Sequence, residues 1–87
     1  MTERMDIKAP EGVLGGKYAN MMQVSHTPEE FVLDFISAFA PAGELVSRLI
    51  VSPRHMKRIV RALMDNINKY EQVHGLIIEA SEPKLLT

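Results

Sequence analysis

The sequence predicts an α+β domain: a three-stranded antiparallel sheet followed by one long amphipathic C-terminal helix, in an oligomeric assembly. Three observations lead there. Apolar residues alternate with period two through residues 31–39 and 44–51. Segments with turn chemistry bound those runs. From Pro53 to His74, apolar residues recur at helical spacing between a serine and a glycine.

Residues 1–16 mix charges with Pro10, Gly12, Gly15 and Gly16 and show no sustained period, so they read as a flexible leader. From Lys17 onward, Tyr18, Asn20, Met22 and Val24 alternate with Ala19, Met21 and Gln23, which predicts a first strand. Ser25 to Glu30 then carries turn chemistry: Pro28 presets a turn dihedral, and serine and threonine bond nearby backbone. His26 reads as a turn residue. Phe31, Leu33, Phe35 and Phe39 alternate with Val32, Asp34, Ile36 and Ala38 as the second strand. Ala40-Pro41-Ala42-Gly43 is a second turn, and Glu44 to Val51 is the third strand.

A register that sets Leu33 against Leu49 and Phe31 against Val51 gathers one apolar face. The same register pairs Val32 with Ile50, Asp34 with Arg48, and Ile36 with Val46 on the other. This second face is too apolar for water alone and too polar for a deep core. Val32, Ile36, Val46 and Ile50 are therefore expected at an interface, with Asp34 and Arg48 as a structural ion pair among them.

The helix is predicted over Pro53 to His74. Ser52 can cap a free amide, Pro53 suits the first helical position, and Gly75 suits the left-handed residue that ends a helix. Met56, Val60, Leu63, Ile67 and Tyr70 advance by steps of four, three, four and three, and His74 continues the series. Ile59 and Met64 widen this stripe to roughly 140°, at about 100° per residue. One edge of the stripe is expected to cover the sheet and the other to meet a second copy. Leu76 to Ile78 reads as a short strand or an intersubunit arm, and residues 79–87 as a tail, leaving 17–78 as the domain.

At 87 residues, the chain is one small domain, of a size that buries only roughly 60% of its unfolded surface. Its 46% apolar and 24% charged content argues for packing and against disorder over the whole chain. The absence of cysteine excludes disulfides, thiolate metal sites and cysteine nucleophiles. No signal peptide and no apolar run of the roughly 20 residues that span a bilayer is visible, so the expectation is a cytoplasmic protein without membrane contact. A net charge of -1 means that any basic function must be local.

Such a local feature exists. Arg54, Lys57, Arg58 and Arg61 line the polar side of the helix, and no acid interrupts the sequence between Glu44 and Asp65. Cations near a helix N-terminus oppose its dipole, so an anion, a phosphate backbone, or the acids Glu29, Glu30, Asp34 and Glu44 are candidate partners. Catalytic signals are missing. The three histidines lack metal-site spacing, with His55 a first-turn polar residue and His74 a helix-end cation or interface residue. Gly12 to Gly16 lacks the lysine-serine/threonine ending of a phosphate loop. Asp34 beside Arg48 fits a structural pair better than a catalytic carboxylate. No cofactor, metal or catalytic residue is expected.

Several blocks occur together: Tyr18-Ala19-Asn20, the run from Ser25 to Phe35, Ser47-Arg48, Ser52-Pro53 and Tyr70-Glu71. In this order they resemble a small bacterial domain family of unknown function, over about residues 17–78. The resemblance implies no activity. The expected function is accordingly a non-enzymatic oligomeric interaction module, with nucleic-acid binding through paired basic helix faces as the alternative.

Overall fold

The computed structural model describes residues 4–81. A single helical turn, α1 (Glu11–Leu14), precedes three strands, β1 (Met21–His26), β2 (Phe31–Phe39) and β3 (Ala42–Val51), and a long helix, α2 (Pro53–His74). The strands form one antiparallel sheet in the order β1-β2-β3, so β2 is central and both outer strands present an open edge. No helix among the described residues is long and apolar enough to cross a membrane.

β1 starts at Met21 rather than Lys17, and Tyr18 and Asn20 before it meet the sheet through their side chains. The Asn20 side chain takes the place of a strand residue: its amide donates to the Ala38 carbonyl at 3.0 Å and its carbonyl accepts the Ala38 N–H at 2.8 Å. The Asn20 backbone N–H meanwhile donates to the Ile36 carbonyl at 3.0 Å. Tyr18 stacks on Phe39 with ring centroids 6.0 Å apart. The Tyr-Ala-Asn block thus fastens the approach to β1 onto the end of β2. His26 is the last residue of β1 and not part of the turn; it lies opposite Phe31, ring centroids 5.4 Å apart. The turn is Thr27–Glu30, closed by Thr27 N–H donating to the Glu30 carbonyl, with Thr27 Oγ1 accepting from the Glu29 N–H.

The β2–β3 register follows the expected pairing from Phe31↔Val51 to Phe35↔Ser47, including Asp34↔Arg48 and Val32↔Ile50. It then slips by one residue, so that Ile36 faces Leu45 and not Val46. The cause is a conflict between two constraints. Only Ala40 and Pro41, joined by a cis bond, separate the strands, which sets Phe39 opposite Ala42. The apolar faces farther along demand a spacing one residue longer, and a β-bulge at Val46 absorbs the difference.

α2 has the expected bounds. Ser52 Oγ accepts the His55 N–H at 3.1 Å, Pro53 opens the first turn, and Gly75, at φ 90°, donates its N–H to the Glu71 carbonyl. Replacing such a serine cap costs about 1 kcal/mol. Only Ser52 links β3 to α2, and the helix does not lie across the sheet. Met56 and Ile59 near its start are half-buried, whereas the apolar residues from Val60 onward are exposed. The radius of gyration is 16.0 Å, against about 12 Å for a compact chain of this length. Leu33, at the centre of β2 and 4% exposed, is the one buried apolar residue among those described. Residues 76–81 form neither helix nor strand, and the predicted tail lies outside the described residues beyond residue 81.

Because Asn20 supplies both a donor and an acceptor to Ala38, Asn20→Asp should destabilise the chain, since it sets a carboxylate oxygen against the Ala38 carbonyl. Asn20→Ala should lower unfolding stability by about 1 kcal/mol, read from urea midpoints. Asn20→Asp should equal or exceed that loss despite its similar shape.

Candidate interaction surface

The register assigns residues to two sheet faces. Phe31, Leu33 and Phe35 share one with Leu49 and Val51 of β3 and Met22 and Val24 of β1. The second carries Val32, Asp34 and Ile36, flanked by Ile50, Arg48 and Leu45 on one side and by Ser25, Gln23 and Met21 on the other. Of the four residues expected to line that face, Val32 and Ile50 are directly opposed, Ile36 meets Leu45, and Val46 is the unpaired bulge residue. Ile50 and Leu45 are exposed on the outer strand, while Val32 and Ile36 on the central strand are half-buried.

Asp34 and Arg48 form the expected pair in a forked geometry: Arg48 Nε donates to Oδ1 at 2.7 Å and a terminal nitrogen donates to Oδ2 at 2.9 Å. This match of planar groups adds direction to charge attraction. Hydrogen bonding to Arg48 holds the Asp34 carboxyl below its ordinary value; loss of hydration opposes that shift, and the guanidinium charge reinforces it. The two sides are unequally covered, since the Asp34 side chain is 17% exposed and that of Arg48 57%. An orphaned Asp34 would therefore remain in a drier place than an orphaned Arg48. Gln23, Val24, Ser25 and Asp34 border an open depression beside β1, which lacks the enclosure of a reaction site.

The predicted seam of α2 lies along one face. Met56 is half-buried, but Val60, Leu63, Ile67 and Tyr70 are exposed, together with Met64 and Val73 on the flanks. Leu63 is 59% exposed and Val73 75%. Tyr70 and His74, one turn apart, bring their rings to 4.7 Å. Leu76, Ile77 and Ile78 continue the exposed apolar surface past the helix, and the Ile77 N–H is held by Glu71 Oε2 at 2.8 Å. The chain exposes 8484 Å² in all, against roughly 5,200 Å² for a folded monomer of this mass.

Arg54, Lys57, Arg58 and Arg61 are exposed, and none forms an ion pair with a described residue; Asp34–Arg48 is the sole ion pair there. The acids Glu29, Glu30 and Glu44, candidate internal partners, do not reach them. No group of three metal-ligating side chains comes together among the described residues. Sequence reasoning anticipated the ion pair, and it missed Asn20 and the Val46 bulge. Asn20 left only a faint signal, its place in a recurring motif. The bulge was legible in principle, from the mismatch between a two-residue turn and the preferred face pairing.

Single and double substitutions should separate the roles of the ion pair. Arg48→Met should lower the urea midpoint more than Asp34→Leu, and the double variant should be more stable than Arg48→Met alone. Asp34 has its pKa lowered on folding, so its contribution is present above its ordinary value of 3.8 and is lost as pH falls through the depressed value. The stability gap between the parent chain and Asp34→Asn should be constant above about pH 5 and close on further acidification.

A family model described as "Protein of unknown function (DUF3467)" matches residues 1–79, and the chain belongs to that family. The match begins at residue 1, so it takes in the segment before Lys17 that the motif resemblance left out. No curated protein and no solved structure matches the chain.

Proposed function

From membership of a family with no assigned activity, we propose that this chain is a non-enzymatic interaction module that works as a homo-oligomer in the bacterial cytoplasm. One observation carries the reading: the apolar seam of α2 from Val60 to Tyr70 is exposed in the single chain. Contiguous apolar surface beyond several hundred Å² is uncommon on monomers and marks interaction sites. The exposed area exceeds that of a compact monomer by roughly 3,300 Å², and a standard interface needs about 800 Å² from each partner. The segments around α1 and after Gly75, which pack on little else, and the exposed residues of the seam all contribute to that excess. A setting without disulfides accords with the lack of cysteine.

Nucleic-acid binding remains the second reading, favoured by four exposed cations with no ion-pair partner among the described residues. A net charge of -1 weakens it, as does the absence of Phe, Tyr and Trp from residues 40–69, which hold those cations.

Sedimentation at tens of micromolar should give a dimer or larger species, and Leu63→Asp should weaken association at least tenfold while preserving the circular dichroism of the fold. A stable parent monomer would defeat the assembly reading. In a low-salt gel shift with random DNA and RNA, no retardation is expected; retardation abolished by Arg58→Glu together with Arg61→Glu would establish the second reading instead.

A further inference from the structure

We infer that the occupant of the α2 seam is α2 of a second copy running antiparallel, with Lys57 of each copy beside Glu71 of the other. The inference rests on the assembly reading above and specifies its geometry. Met56, Val60, Leu63, Ile67, Tyr70 and His74 form a seam with the alternating four-three spacing of paired helices. Lys57, Met64 and Glu71 occupy one flank of that seam and Ile59, Asn66 and Val73 the other, each series at intervals of seven residues.

The direction follows from what each flank meets. In an antiparallel pair, like flanks face one another. The Lys57 flank then places Lys57 against Glu71 twice, with Met64 against Met64 between them. The other flank sets Ile59 against Val73 and Asn66 against Asn66. Every contact is complementary in charge or polarity. In a parallel pair, unlike flanks meet: Glu71 faces Asn66, Lys57 faces no acid, and the Arg54–Arg61 stretch of one copy lies beside its own duplicate. Opposite charges along paired helices set orientation in this way, and like charges oppose it.

The antiparallel arrangement also suits the rest of the chain. Lys57 has no ion-pair partner among the described residues, and Glu71 spends one carboxylate oxygen on the Ile77 N–H, leaving the other available. Arg54, Arg58 and Arg61 fall on the outer side, and the two cationic halves lie toward opposite ends of the pair. Leu76 to Ile78 of each copy extends toward the end that bears the other copy's sheet. This geometry disfavours a nucleic-acid platform made from juxtaposed basic faces.

The chain has no cysteine, so introduced thiols report position cleanly. Met64→Cys should oxidise to a covalent dimer, and a mixture of Lys57→Cys and Glu71→Cys chains should cross-link to each other far more than either does to itself. In a parallel pair, those two positions stand about 21 Å apart along the axis, beyond disulfide reach, and Tyr70→Cys would self-link instead. A charge-swap mixture supplies a second readout. Lys57→Glu and Glu71→Lys chains should each associate at least threefold more weakly with themselves than the parent does, and should form heterodimers when mixed. A dimer that cross-links only through Tyr70→Cys, or through no α2 position, would overturn the antiparallel inference and leave the assembly reading standing. A parent chain that sediments as a monomer would overturn both.

Discussion

The rest of the structure depends on a one-residue connection. β3 ends at Val51 and α2 begins at Pro53, so Ser52 alone, in extended conformation and committed to capping the helix, determines how α2 leaves the sheet. A helix that folds back over the strand before it needs a connection that reverses the chain, and strand-to-helix loops commonly use two to six residues. With one residue available, the helix continues away from the sheet, and Met56 and Ile59 near its start are half-buried. The apolar stripe beyond is exposed, with no cover among the described residues. Hydrophobic surface of that extent favours a partner in proportion to the area removed from water, about 25 cal/mol per Å² before the costs of association.

Within the sheet, the central strand carries the burden of order. β2 is paired on both sides and contributes Leu33, the one buried apolar residue among those described. Its neighbours are secured by two polar devices, one within the β2–β3 register and one near the end of β2. Asp34 and Arg48 fix β3 against β2 by a forked bond that tolerates no slip, because a shift of one residue would send the two side chains to opposite faces. Asn20 fixes the approach to β1 by bonding Ala38 from both sides. In a domain with so little core, such directional contacts supply specificity that packing supplies in larger ones.

The bulge at Val46 shows the same logic at the open edge of the sheet. It lets the tight turn at Ala40-Pro41 coexist with a register that keeps Phe31, Leu33 and Phe35 on the same face as Leu49 and Val51. Bulges also twist an edge strand away from further pairing. The interrupted edge of β3 is therefore a poor surface for strand addition.

The strand β2, β3 from Glu44 onward, the Asp34–Arg48 pair and the helix bounds were legible in the sequence, because each rests on a local period or on residues that cap, turn or oppose one another at short range; Ala42 and Gly43, expected in the turn, belong to β3. Serine, proline and glycine at Ser52, Pro53 and Gly75 determined where α2 begins and ends, whatever surrounds it. The bulge, the place of Asn20 and the direction of α2 were decided only in three dimensions. Each is a compromise between constraints from separate parts of the chain: turn length against face pairing, a side-chain amide against a strand backbone, and a short connection against the pull of an apolar stripe toward the sheet. A sequence period records what a residue prefers; geometry decides which preference its own chain can satisfy, and here it leaves the helix seam unsatisfied.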